Sequence, residues 1–145
     1  RKGEVMVIDA GGYDDVAVWG GIMTRAAMKR GIAGVVIDAA IRDAAEIREL
    51  GFPCYARANV PAGPHKGFGG IIDGPISCAG CPVKPGDLVI GDDDGIAVVP
   101  LEWAEDMLAA SKEKLRQEEE TLKQIAEGKT TAELLGIGEP EIISE

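Results

Sequence analysis

The sequence predicts an α/β fold, and three observations carry that expectation. Across residues 1–100, short apolar runs alternate with amphipathic stretches in strand–helix–strand–helix–strand order, the signature of parallel βαβ units. Glycine supplies 20 of the 145 residues, roughly twice the usual share of about 7%, and it repeatedly closes those runs. After Pro100 the texture changes to one long amphipathic helix.

Each element follows from local pattern. Residues 4–9 (EVMVID) read as a buried strand closed by Gly11 and Gly12, and 16–18 as a second, short strand. Residues 20–30 place Ile22, Ala26 and the Lys29–Arg30 pair at helical spacing, with Gly31 as the stop. Residues 34–38 (GVVID) form a strand, 42–50 a helix ended by Gly51, and 52–58 another strand. From 59 to 85 the chain is rich in Gly and Pro, with 71–72 and 75–77 as candidate short strands. A Lys84-Pro85-Gly86-Asp87 turn leads into 88–90, and Gly91-Asp92-Asp93-Asp94-Gly95 turns the chain into 96–99, a hairpin. Helices are expected over 101–127 and 131–135.

Composition narrows the function. The length suits one domain, 1–145, divided into an α/β core over 1–100 and C-terminal helices over 101–145. The net charge of −10 argues against a nucleic-acid or anionic-membrane partner, since either needs a basic stripe. The first hundred residues carry 13 acids and 10 bases, the remainder 12 acids and 5 bases, so the acidity concentrates in the helical tail. No apolar run reaches the ~18 to 20 residues of a membrane helix. Three cysteines are too few for a disulfide scaffold, which predicts a reducing, cytoplasmic setting.

Two segments are competent for chemistry. Gly20-Gly21-Ile22-Met23 opens a helix directly after a strand, where free N–H groups and the positive dipole end suit a carboxylate or phosphate. The same glycines could serve only a tight turn that requires their dihedral freedom. The second segment leaves the carboxyl end of the GVVID strand, where open α/β sheets usually bind ligands. There Arg42 offers a planar fork for a carboxylate, and Asp43 and Glu46 share a face on which a hard cation could bind. Alternatively, Asp43 as N-cap and Glu46 three residues on form a capping pair.

Other motifs read as structure. Cys78-Ala79-Gly80-Cys81 lacks a second ligand pair for zinc and is followed by Pro82 where a redox dithiol normally meets a helix. His65 falls in a polar loop, and Asp92–Asp94 lack the spaced ligands of a calcium loop.

Three blocks together resemble the RraA-like family: AVWGGIM from Ala17, GIAGVVIDAAIRDAAEIRELGFPCYAR from Gly31, and KPGDLVIGDDDGIAVVP from Lys84. That family includes metal-dependent aldolases that cleave 4-hydroxy-4-methyl-2-oxoglutarate and 4-carboxy-4-hydroxy-2-oxoadipate, and regulators of ribonuclease E. The resemblance implies a swivelling β/β/α-type sandwich with a long C-terminal helix, assembled as a homotrimer or homohexamer with active sites between subunits. It implies that Arg42 binds the pyruvyl part of a small 2-oxo acid and that Asp43 coordinates Mg²⁺ or Mn²⁺. Backbone N–H groups around Gly20, Gly21, Ile22 and Met23 would hold the substrate carboxylate. Glu118 or Glu119, from a neighbouring subunit's helix, would complete the metal's water shell. The activity expected is retro-aldol cleavage or oxaloacetate decarboxylation through a pyruvate enolate; the alternative is a non-catalytic, protein-binding regulator of RNA processing.

The chain departs from the family pattern twice. The aldolase pattern commonly places an acid 21 positions before the Arg, and here that place is Gly21. A carboxylate that could relay the substrate's hydroxyl proton is therefore absent from that position. The chain also starts at Arg1 close to its first strand, which predicts a chain short of the family's N-terminal segment.

Overall fold

A computed structural model describes residues 1–67 and 69–138. Of the C-terminal helical stretch expected over 101–145, residues 139–145 lie outside the described residues. Two compact units emerge, one spanning Arg1–Leu101 and one beginning at Glu102, and each is described by itself.

The first unit is built on a parallel sheet of order β1-β2-β3, with β1 Val5–Trp19, β2 Gly34–Ile41 and β3 Cys54–Asn59. The central strand β2 is almost wholly buried, which explains its continuous apolar run; strands covered on both faces need no polar alternation. Helices α1 (Gly21–Lys29) and α2 (Ala44–Glu49) lie on one face of the sheet. Val35, Ile37, Ala39 and Ile41 of β2 pack there with Trp19, Ala27, Ile47 and Phe52. The alternate residues Val36 and Asp38 point to the other face, as strand periodicity requires.

The two strands expected over 4–9 and 16–18 are one extended element. Val5 to Asp9 pair in step with Gly34 to Asp38, after which β1 spends ten residues reaching Trp19 while β2 advances only three to Ile41. Gly11 and Gly12, at φ +70° and +73°, start this bulged excursion rather than ending the strand. Asp9 steadies it by accepting a hydrogen bond from the Gly11 N–H at 2.8 Å.

Two hairpins complete the unit. Strands β4 (Ile76–Cys78) and β5 (Cys81–Val83) are joined by Ala79 and Gly80, both at positive φ, so the C-x-x-C spells a two-residue turn. Strands β6 (Leu88–Asp92) and β7 (Gly95–Val99) form the expected hairpin, where Asp92 Oδ1 accepts from the N–H groups of Asp94 and Gly95. The strand expected at 71–72 is absent: Ile71 and Ile72 are 89% and 90% exposed and join no ladder. Adjacent Gly69, Gly70 and Gly74 deprive that stretch of the side chains a strand packs with.

The second unit holds a long helix, α3 (Ala104–Ala126), and a short one, α4 (Thr131–Leu135). A 3₁₀ turn, Leu101–Trp103, precedes α3. No residue of α3 is buried. Thr130 and Glu133 form a reciprocal capping box on α4, and Gly136 ends it at φ +65°. None of the described helices is long and apolar enough to cross a membrane.

Candidate functional site

The parallel pairing of β1 with β2 sets Trp19 beside Ile41, so the two chain segments leaving the sheet emerge side by side. Arg42 donates its N–H to the Trp19 carbonyl at 3.0 Å, which locks the two exits together. Beyond them lie Gly20 and Gly21 on one side and Arg42 and Asp43 on the other. The two chemically competent sequence segments therefore form one corner.

Asp43 occupies the N-cap of α2, but in the left-handed region at φ +60°, and its side chain caps nothing in that helix. Its Oδ2 accepts instead from the Gly21 N–H at 3.0 Å, across 22 residues of sequence. The capping pair with Glu46 is overturned: the long-range bond to the start of α1 outcompetes the local one. A non-glycine residue held at positive φ costs of order 1 to 3 kcal/mol, and such strain concentrates at functional positions. Glu46 turns away to Arg25, whose Nε and Nη2 both reach Glu46 Oε1 at 2.9 Å.

The two glycines are explained by crowding rather than by dihedral freedom. Gly20 sits at φ −170°, ordinary extended backbone. A Cβ there would lie 2.8 Å from Asp43 Oδ2 and 3.0 Å from Arg42 Cγ. A Cβ on Gly21 would lie 2.6 Å from Glu46 Oε2. The turn explanation gives way, because what a side chain at 20 or 21 would meet is a carboxylate, Asp43 at the first and Glu46 at the second. Buried Thr24 anchors the start of α1, accepting from Trp19 Nε1 at 2.8 Å.

Arg42 lies half exposed, with its Nε 3.7 Å from Asp43 Oδ2. Sequence reasoning missed its other neighbour. A Cβ on Gly63 would stand 3.1 Å from Arg42 Nη1, so the loop after β3 comes close against the guanidinium, and a side chain there would push it aside by a few tenths of an ångström. That loop is tied down when Ala17 donates to the Ala62 carbonyl at 2.8 Å and Val60 to the Ile41 carbonyl at 2.9 Å. The Gly63-Pro64 pair was a visible turn signal, but nothing local connects it to Arg42.

Ile22 and Met23 project outward, 81% and 46% exposed, and their N–H groups belong to the first turn, which has no i−4 acceptors. The Gly21 N–H is engaged by Asp43, so an incoming anion would meet Ile22 and Met23 first. Glu118 and Glu119 lie on α3 in the second unit; Glu118 is 3.9 Å from Lys114 Nζ. Among the described residues, no three His, Cys, Asp or Glu side chains converge to hold a metal. Asp43 is the carboxylate nearest Arg42 in this corner, and a single carboxylate suits Mg²⁺, which keeps several waters and binds through one or two carboxylates.

On the opposite face of the sheet, a cavity of about 340 Å³ is lined by Val7, Val36, Asp38, Tyr55, Arg57 and Cys78, among others. Asp38 accepts from Arg57 Nε at 2.5 Å and from the Ala79 N–H at 2.9 Å. The Arg57 bond foremost, then the Ala79 N–H, hold its carboxyl below the usual range. Burial raises the Cys78 thiol and pushes Cys54 up to about 11, so both stay protonated, unlike a reactive dithiol.

A sequence profile of the RraA-like family, described as aldolase/RraA, matches residues 1–98. A Halalkalibacterium halodurans protein, provisionally named a 4-hydroxy-4-methyl-2-oxoglutarate aldolase, is 42% identical over 117 residues, covering 81% of this chain and 56% of its own length. A Thermus thermophilus protein named 4-hydroxy-4-methyl-2-oxoglutarate aldolase is 37% identical over 98 residues, covering 68% of this chain and 60% of its own. Among solved structures, Streptomyces coelicolor RraAS2, described as an unusual member of the RNase ES inhibitor RraA protein family, superposes with a TM-score of 0.79. It is 32% identical, and the match covers 86% of this chain and 64% of that one. The chain thus spans between half and two thirds of the length of these relatives.

Proposed function

The chain belongs to the RraA-like family, and from that premise we propose that it is a divalent-metal-dependent lyase acting on small 2-oxo acids that yield pyruvate. The observation that carries the reading is Asp43: a strained carboxylate pinned to the start of one helix, 3.7 Å from the guanidinium that precedes it in sequence. Retro-aldol cleavage of a 4-hydroxy-2-oxo acid and decarboxylation of oxaloacetate both leave the enolate of pyruvate. Both therefore need positive charge placed in advance where that enolate forms.

Arg42 supplies a fixed charge, with a planar fork matched to the carboxylate and enolate oxygens of the pyruvyl unit. Gly63 leaves room for it, and the exposed N–H groups of Ile22 and Met23 orient the substrate's far carboxylate against the dipole of α1. Asp43 would hold Mg²⁺ or Mn²⁺, whose contribution when bound is Lewis-acid stabilisation of the developing charge. The same reading includes a cytoplasmic homo-oligomer. It also gives Gly21 a consequence: with no acid at that position, decarboxylation, which has no hydroxyl proton to remove, should outpace aldol cleavage.

The test is pyruvate release from oxaloacetate and from 4-hydroxy-4-methyl-2-oxoglutarate, with Mg²⁺ or Mn²⁺ and then with EDTA. Asp43→Asn, which tolerates the left-handed backbone, and Arg42→Ala should each reduce kcat/KM by at least about 100-fold, the scale of losing a preorganised charge-stabilising donor. No turnover of either substrate with any divalent metal would sink the reading. A second reading is favoured by the Thermus thermophilus structure described as an RNA-processing inhibitor, 35% identical with a TM-score of 0.64. In that case the scaffold binds an RNA-processing protein, and a pull-down would recover it equally well with Asp43→Asn.

A further inference from the structure

The C-x-x-C segment carries two thiols that the proposed lyase chemistry does not use. They do not meet a helix, the setting in which Pro82 counts against a dithiol, but stand opposite each other across a hairpin. In the β4–β5 ladder Cys78 pairs with Cys81, Ser77 with Pro82 and Ile76 with Val83. Pro82 has no N–H to donate, so Ser77–Pro82 is a rung without mutual hydrogen bonds. Alternation makes Cys78–Cys81 a hydrogen-bonded rung, and such rungs hold their Cα atoms about 5.5 Å apart. A disulfide spans Cα separations of about 4.4 to 6.8 Å. Directly opposed residues project from the same side of a hairpin, and both cysteines line one cavity.

Unequal access gives the two thiols an order of action. Cys81 is exposed, while Cys78 is buried, its Sγ 3.8 Å from the Ile8 carbonyl. Cys54 packs with Ile47 and Phe52 on the helix face, so the sheet separates it from both. We propose that Cys78 and Cys81 are a thiol–disulfide exchange site for a low-mass disulfide, with oxidised glutathione as its probe. The Cys81 thiolate attacks one sulfur of that disulfide, expels the first thiolate and leaves a mixed disulfide at position 81. Cys78 then loses its proton and attacks Cys81 Sγ, which closes the Cys78–Cys81 bond and expels the second thiolate. The two protons released by the protein go to the two departing thiolates, so one protein dithiol is oxidised and one small disulfide is reduced. Burial keeps Cys78 protonated, which makes the second step the slow one. Such a bridge is transient in a reducing compartment, as befits a redox-responsive site rather than a structural cross-link. The inference stands independently of the lyase reading.

Equilibration of the full chain with mixtures of reduced and oxidised glutathione tests the proposal. Samples are acid-quenched, alkylated and read by mass, both as intact chains and as peptides. As the oxidised share rises, the native chain should lose two alkylatable thiols together, both on the peptide carrying residues 78–81, and retain no glutathione. Cys78→Ser should instead hold one glutathione on Cys81, because the thiol that displaces it is gone. Cys81→Ser should take up glutathione at least about tenfold more slowly than Cys78→Ser, since only shielded thiols remain. An unchanged near-UV signal from buried Trp19 shows that the first unit is folded in each variant. A native chain that holds glutathione on Cys81 to the same extent as Cys78→Ser would overturn the proposal. So would a bridge that includes Cys54, a Cys78–Cys81 bridge that forms only in urea, or no loss of thiols across the whole range.

Discussion

At position 21 a side chain and the Glu46 carboxylate compete for one volume. A Cβ there would come within 2.6 to 2.8 Å of all three atoms of the Glu46 carboxyl group. The acid that the aldolase pattern places at 21 and the Arg25–Glu46 pair seen here are therefore alternatives for the same space. This makes Gly21→Ala an informative variant. Alanine in place of glycine in a helix ordinarily gains about 0.5 to 1 kcal/mol, and an exposed ion pair is worth about 0 to 1 kcal/mol, so stability should barely move. Displacing Glu46 pushes it toward Asp43 or out of the corner, so turnover of oxaloacetate should fall several-fold. Equal activity at equal thermal stability would show that Glu46 has no influence on the corner. Part of this corner was legible in the sequence: the Arg42–Asp43 pair at a strand's carboxyl end, and a glycine pair opening a helix. The left-handed Asp43 was not, because Asp followed three residues later by Glu is a strong local capping signal. A bond to Gly21, 22 residues away, overrides it, and no window of local sequence contains both partners.

At the scale of elements, β2 and the segment that leaves it place two differently used carboxylates. Asp43 follows its end and faces the helices' starts, while Asp38, within it, faces the opposite side and ties β3 and the β4–β5 turn to the sheet through Arg57 and Ala79. Because its folded carboxyl titrates below the unfolded value of about 3.9, its stabilising contribution is complete above that value and is lost as pH falls through the depressed one. Comparing melting temperatures of the native chain and Asp38→Asn across pH 7 to 3 should show the native chain's advantage shrinking only below about pH 4. A constant difference over that range would refute the linkage. The strands and hairpins were otherwise readable from runs and turn residues. The bulge in β1 was not, since Gly11-Gly12 terminates a strand as naturally as it distorts one; only pairing of both ends with β2 decides between them.

At the scale of the whole molecule, the α/β order, the long C-terminal helix and the family were all apparent from residue pattern. Oligomeric assembly is implied there only by the resemblance, because it depends on surfaces whose partners lie outside one chain. The distribution of thiols has a practical consequence at this scale. Cys54 is half-buried with its thiol held protonated, Cys78 is buried under β1, and Cys81 stands exposed at the end of the same two-residue turn. A maleimide at neutral pH should therefore modify Cys81 stoichiometrically before the other two react, and intact-mass analysis would reveal faster double labelling if the turn were open. That turn is thus a native attachment point for a fluorophore. It would report on the Asp38 tether through the neighbouring Ala79 amide while leaving the Arg42–Asp43 corner chemically untouched.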